Sequence, residues 1–236
     1  MGTSQAPLDR IAAALRAPSG WLLAAIFATW LVAVARAPLD SMQGVIQKIL
    51  YVHPPLAFAA YLGFSLTAIG GALFLWRGDE AYDRLARSAA EVGVLFCTLM
   101  IVTGPIWAKG TWGRWWSWDL RLTITLLLWF VYLAYLLLRS FTEGSERAAR
   151  FAAVYGIAGL LVIPLNYFAV QLGGGSIHPN NLGRGSLGEG MGTPFALGAA
   201  VCLVAFLHLL TRRVEIEGLR ARLAEKLLAP RGAGRA

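Results

Sequence analysis

Charge is scarce in this sequence. Of its 236 residues, 14% are Asp, Glu, Lys or Arg and 57% are apolar, whereas soluble chains carry roughly 25% charged residues. That scarcity, together with several apolar runs long enough to cross a bilayer, excludes an ordinary soluble domain and points to an integral membrane protein. Cysteine is nearly absent. Cys97 and Cys202 both lie inside apolar runs, and no C-x-x-C exists, so they read as small buried hydrophobes and not as a redox pair. No phosphate loop is present: G-G-G-S at 173–176 lacks the lysine and the following helix, and reads as a flexible linker. Neither a Ser/His/Asp set nor a carboxylate pair can be assembled. The net charge is +8, but the basic residues sit in short loops and the tail. That distribution suits membrane orientation and lipid headgroups, with no soluble region to carry nucleic-acid binding. No cleavable signal peptide is evident, and the first apolar run is expected to remain as a span.

What is there is a series of apolar runs separated by charged or glycine-rich loops. Residues 1–19 place Leu8, Ile11 and Leu15 at helical spacing beside Arg10 and Arg16, the pattern of a short helix on the membrane surface. Pro18-Ser19-Gly20 is expected to break it. Spans are expected at 21–35, 54–76, 88–107, 122–138, 151–172 and 194–211, giving an all-α, six-span bundle. Charged hairpins fall at 77–87 and 139–150, and a glycine-rich loop at 173–193. Residues 1–211 form the membrane domain; residues 212–236 form a basic tail, an amphipathic helix with a frayed end.

Six spans place both termini on one side. The N-terminus, the two charged hairpins and the tail hold fifteen Lys and Arg; the three other loops hold six. The excess marks the cytoplasmic face. The remaining loops, with His53, the tryptophan segment and His178, therefore share the outer face.

The densest feature is W-A-K-G-T-W-G-R-W-W-S-W-D-L-R-L-T at 107–123, with five of the nine tryptophans. Interfacial aromatic belts enrich tryptophan, but they are spread over many helix ends. If the segment is helical, Trp112, Trp115, Trp116 and Asp119 share one face. Such a surface suits a large, flat, apolar ligand with an anionic edge. The sequence has three histidines. His208 reads as a packed residue of the last span. His53 and His178 both precede proline and both flank the tryptophan surface, which suggests two axial ligands for an iron porphyrin. Zinc is a weaker reading, since the outer face lacks cysteine and ligand spacing. Lys109, Arg114 and Arg121 suit either propionates or lipid phosphates. Asp119 suits pairing with Arg121 or Thr123, or capping the next helix.

W-G-R-W-W-S-W-D-L-R-L-T at 112–123 resembles the tryptophan-rich "WWD" signature of the haem-handling proteins of cytochrome c biogenesis. With six spans, Y-V-H-P before the second span and a histidine between the fifth and sixth, the chain is similar to the CcmC family of haem exporter C proteins. The relatives CcmF and CcsA share the signature but are usually longer. The resemblance implies reversible binding of haem b as cargo at the periplasmic face of the bacterial inner membrane. His53 and His178 would ligate the iron. The platform would comprise Trp112, Gly113, Trp115, Trp116, Trp118 and Asp119, with Arg114 and Arg121 at its edge. It further implies transfer to the haem chaperone CcmE, with CcmD and the ATP-driven CcmA–CcmB pair as partners. The activity implied is transfer and not catalysis. A haem lyase and a through-membrane haem carrier are the alternatives. The lead-in to His178, V-Q-L-G-G-G-S-I-H-P, is richer in glycine than the family pattern.

Overall fold

The computed structural model describes residues 5–141, 145–172, 178 and 187–228, with side chains from residue 20 onward except at 225 and 228. The glycine linker at 173–176, Pro179, Arg184 and the frayed end at 229–236 lie outside the described residues. So do the side chains of the proposed N-terminal amphipathic face.

The described chain is all helical. It comprises α1 (Gln5–Arg36), a short 3-10 helix (Val45–Tyr51), α2 (His53–Arg77), α3 (Glu80–Trp112), α4 (Leu120–Phe141), α5 (Glu146–Leu160), α6 (Val162–Leu172) and α7 (Gly192–Leu228). Five stretches are long and apolar enough to cross a membrane: Val45–Arg77, Glu80–Trp112, Leu120–Phe141, Glu146–Leu172 and Gly192–Ala224. Gly20–Arg36 is a shorter apolar helix. The protein is a multi-pass membrane protein.

Several helix limits differ from those expected. α1 runs unbroken through Pro18-Ser19-Gly20, so the break expected there is absent. A proline costs a helix one backbone hydrogen bond, a loss that apolar helices tolerate. The charged stretch at 77–87 is mostly the first turns of α3. Asp79 caps that helix by accepting from the Ala81 N–H at 2.9 Å, and Glu80 and Asp83 lie in the first turn, where acidic side chains oppose the helix dipole. The span expected at 151–172 divides into α5 and α6. Pro164 has no N–H for the Leu160 carbonyl four residues back, and the Leu161 N–H bonds to Ala158 O at 3.1 Å, a tighter turn. The tail is continuous with the last span, since α7 passes residue 211 without interruption.

α2 lies against α3 and α5, α1 against α7, and α4 against α3, α5 and α6. Small residues allow the closest of these contacts, as in membrane bundles generally. A Cβ on Gly63 of α2 would stand 2.6 Å from the Gly93 Cα of α3. The core adds aromatic packing: Phe64 stacks on Tyr132 at 3.8 Å between ring centroids. At the opposite end of α3 from the tryptophans, Glu91 pairs with Arg213 of α7, and Arg87 reaches buried Glu217 at 3.7 Å. Glu91 is thus paired within a network joining α3 to α7.

Candidate functional site

The site is built where the His53 end of α2, the Trp112 end of α3 and the Leu120 end of α4 lie. His53 is the first residue of α2 because Pro54 and Pro55 fill the first helical turn, where a missing N–H costs nothing. Its imidazole is half-buried against α3. Nδ1 lies 3.0 Å from Thr103 Oγ1. The Trp107 ring meets it edge-on, at 5.9 Å and 77°. Gly104 leaves room for the imidazole, since a Cβ there would lie 3.0 Å from Cε1.

Trp107 is itself held. Its Nε1 donates to Gln43 Oε1 at 2.9 Å, and Thr111 Oγ1 approaches the same oxygen at 3.5 Å. Gln43 is positioned by Asp40, whose Oδ1 accepts from the backbone N–H groups of Met42 and Gln43 at 2.9 and 2.8 Å. The loop before α2 therefore braces the end of α3.

The tryptophan segment is not a helix beyond Trp112. Gly113 ends α3 with φ +72°, a left-handed conformation that glycine adopts without steric cost. Residues 113–119 are irregular, so the single helical face expected for Trp112, Trp115, Trp116 and Asp119 does not exist. Trp115 and Trp118 are instead 59% and 76% exposed. Trp116 is half-buried and meets Trp118 edge-on at 5.9 Å; its buried Nε1 has no hydrogen-bond partner. Trp112 closes α3 and is half-buried.

The charged residues have distinct tasks. Lys109 Nζ donates to the Gly113 carbonyl at 3.0 Å, which ties it to the end of α3. Asp119 Oδ1 accepts from the Leu122 N–H at 2.9 Å, and Oδ2 accepts from Ser117 Oγ at 3.2 Å. Asp119 therefore caps α4 and pins the loop to it. Arg114 is exposed. Arg121, half-buried in the first turn of α4, is close enough to act electrostatically on both His53 and Tyr61. Beneath it, Asn166 of α6 is 0% exposed. Asn166 accepts from Tyr61 Oη at 2.7 Å and donates to Thr125 Oγ1 at 2.7 Å and to the Arg121 carbonyl at 3.3 Å. This satisfied network joins α2, α4 and α6 under the tryptophan segment.

His178 is half-buried and is one of the groups that act electrostatically on His53, so the two imidazoles share one neighbourhood. His208 stands apart, 3.7 Å from the Cβ position of Gly20. Among the described residues, no group of three or more His, Cys, Asp and Glu side chains could hold a metal ion. Sequence reasoning missed Thr103, Gln43, Tyr61 and Thr125. Their only signal was polarity at the edges of apolar runs.

The family model for heme exporter protein C matches residues 5–228. The chain belongs to that family. It is 33% identical over 221 residues to "Heme exporter protein C" of Bradyrhizobium diazoefficiens, covering 89% of this chain and 83% of that one. It is 32% identical over 194 residues to the protein of the same name in Paracoccus denitrificans, covering 80% of each. Similarity to the Haemophilus influenzae protein of that name is 37% over 139 residues, covering 58% of this chain and 56% of that one. The matched residues include the tryptophan segment, His53 and His178.

Proposed function

We propose that this protein binds haem b reversibly at the periplasmic face of the bacterial inner membrane and delivers it for c-type cytochrome maturation. The observation that carries the reading is the His53 imidazole held by Thr103 and Trp107, with His178 close enough to act on it electrostatically, next to a segment that exposes Trp115 and Trp118, in a chain of the haem exporter protein C family. The residues fit an iron porphyrin. Two imidazoles supply axial nitrogen ligands, and exposed indoles offer apolar area to a flat ring.

In this reading, α1 supplies the first of six spans through Gly20–Arg36, and both termini are cytoplasmic, as the Lys and Arg distribution requires. His53 and His178 hold the iron from opposite faces of the ring. Trp112, Gly113, Trp115, Trp116 and Trp118 form the shelf, and Asp119 acts by fixing the loop. Arg114 and Arg121 meet the propionates, and Lys109 holds the end of α3 through the Gly113 carbonyl. An exposed shelf leaves part of the cargo open to a receiver. The receiver is the chaperone CcmE, with CcmD and the CcmA–CcmB ATPase in the assembly. The activity is binding and transfer, so no residue is assigned a bond-making role.

The test is transfer. Haem-loaded protein is mixed with purified CcmE in the presence of CcmA, CcmB, CcmD and ATP, and the haem remaining on each component is followed by its visible spectrum after separation. Movement of haem to CcmE is expected. Haem that stays put, or a preparation that never takes up haem, contradicts the proposal.

A further inference from the structure

We infer that Thr103 is a positioning residue for His53: it fixes the imidazole as the tautomer that carries its proton on Nδ1 and presents Nε2. The inference rests on the haem-binding reading for its purpose, but its geometry stands independently. A threonine hydroxyl has one hydrogen and two lone pairs. Thr103 Oγ1 lies 2.9 Å from the Leu99 carbonyl and 3.1 Å from the Met100 carbonyl. Carbonyl oxygens only accept, so the single hydrogen is directed at them. What Oγ1 turns towards His53 Nδ1, at 3.0 Å, is a lone pair, and the ring must donate. The opposite tautomer would set lone pair against lone pair, or would draw the Thr103 hydrogen away from both carbonyls. Trp107, edge-on against the ring, restrains the imidazole from flipping.

A ligating histidine is generally oriented through its other nitrogen, often by a carboxylate that makes it a stronger donor. Here the acceptor is a neutral hydroxyl. It sets the tautomer and strengthens the ligating nitrogen less than a carboxylate would. That suits cargo that must be given up.

Two measurements on the full-length protein in detergent test this. In the first, imidazole nitrogen resonances of histidine-labelled apoprotein are recorded. A protonated Nδ1 and an unprotonated Nε2 for His53 are expected, assigned by loss of the signals in H53A. The reverse pattern overturns the inference whatever the protein binds. In the second, ferric haem is bound to wild type, T103V and T103S, and its loss to an excess of apomyoglobin is timed alongside the reduction potential. T103V is expected to lose haem about 10- to 100-fold faster at a raised potential, because the imidazole donates less to ferric iron. T103S should stay close to wild type. T103V matching wild type in both rate and potential overturns the role of Thr103 while leaving haem binding intact. If wild type and H53A bind haem alike, the His53 ligand assignment itself falls.

Discussion

Substituting Gly63 by alanine disturbs the site from a distance, through the contact that sets the spacing of α2 and α3. The added Cβ would stand 2.6 Å from the Gly93 Cα and 3.0 Å from the Ala89 carbonyl oxygen and the Gly93 N. Carbon atoms in contact prefer about 3.5–4.0 Å, so the backbones must separate by about 1 Å. Neither partner is a flexible side chain that could swing aside. Overpacking of this kind costs roughly 1–3 kcal/mol. The functional consequence follows from where the helices lead. α2 begins at His53 and α3 carries Thr103, and their 3.0 Å contact does not survive a shift of that size. G63A should therefore unfold at lower temperature in detergent and bind haem more weakly. G192A is the control, because nothing lies within 4 Å of that Cβ position. Stability and haem affinity equal to wild type in G63A would refute the claim that this helix contact positions His53.

N166A removes three hydrogen bonds between helices at a fully buried site. At about 0.6 kcal/mol for each such bond in a membrane protein, a loss of about 2 kcal/mol is expected in a denaturant titration; an unchanged midpoint would show that the network carries no load. D119A deprives α4 of its cap, with a cost of about 1 kcal/mol, and frees the loop at Ser117; faster proteolysis within 113–119 is the readout. W115A and W118A remove exposed side chains, so stability should change by less than about 0.5 kcal/mol. Haem affinity should fall about tenfold for each, equivalent to about 1.4 kcal/mol, and equal affinity would remove these residues from the shelf.

Five of the six expected spans were legible, because long apolar runs leave few alternatives in lipid. Their ends were not. Proline is an ambiguous signal at such ends: the helix continues through Pro18 and Pro105 but divides just before Pro164, and only the neighbouring packing separates these cases. The tryptophan segment was recognisable as a unit from its density. Its conformation turned on Gly113, and a left-handed cap cannot be told from a helical glycine by spacing. His53 stood out because histidine is rare here. Thr103, fifty residues away, gave no sign of its contact, because a hydroxyl in an apolar run usually bonds back to its own helix. Thr103 does this too, at 2.9 Å to Leu99 O, and that habit is what frees its lone pair for the imidazole. Asp119 was readable as a cap because aspartate directly preceded an apolar run.

The central claim is that one iron is held by two particular imidazoles. Electron paramagnetic resonance of the ferric haem-loaded protein, compared with H53A and H178A, addresses it most directly. Wild type should give a low-spin bis-imidazole signal, and each variant should convert to a high-spin or five-coordinate signal that added imidazole returns to low spin. A wild-type signal that persists unchanged in either variant would contradict the account.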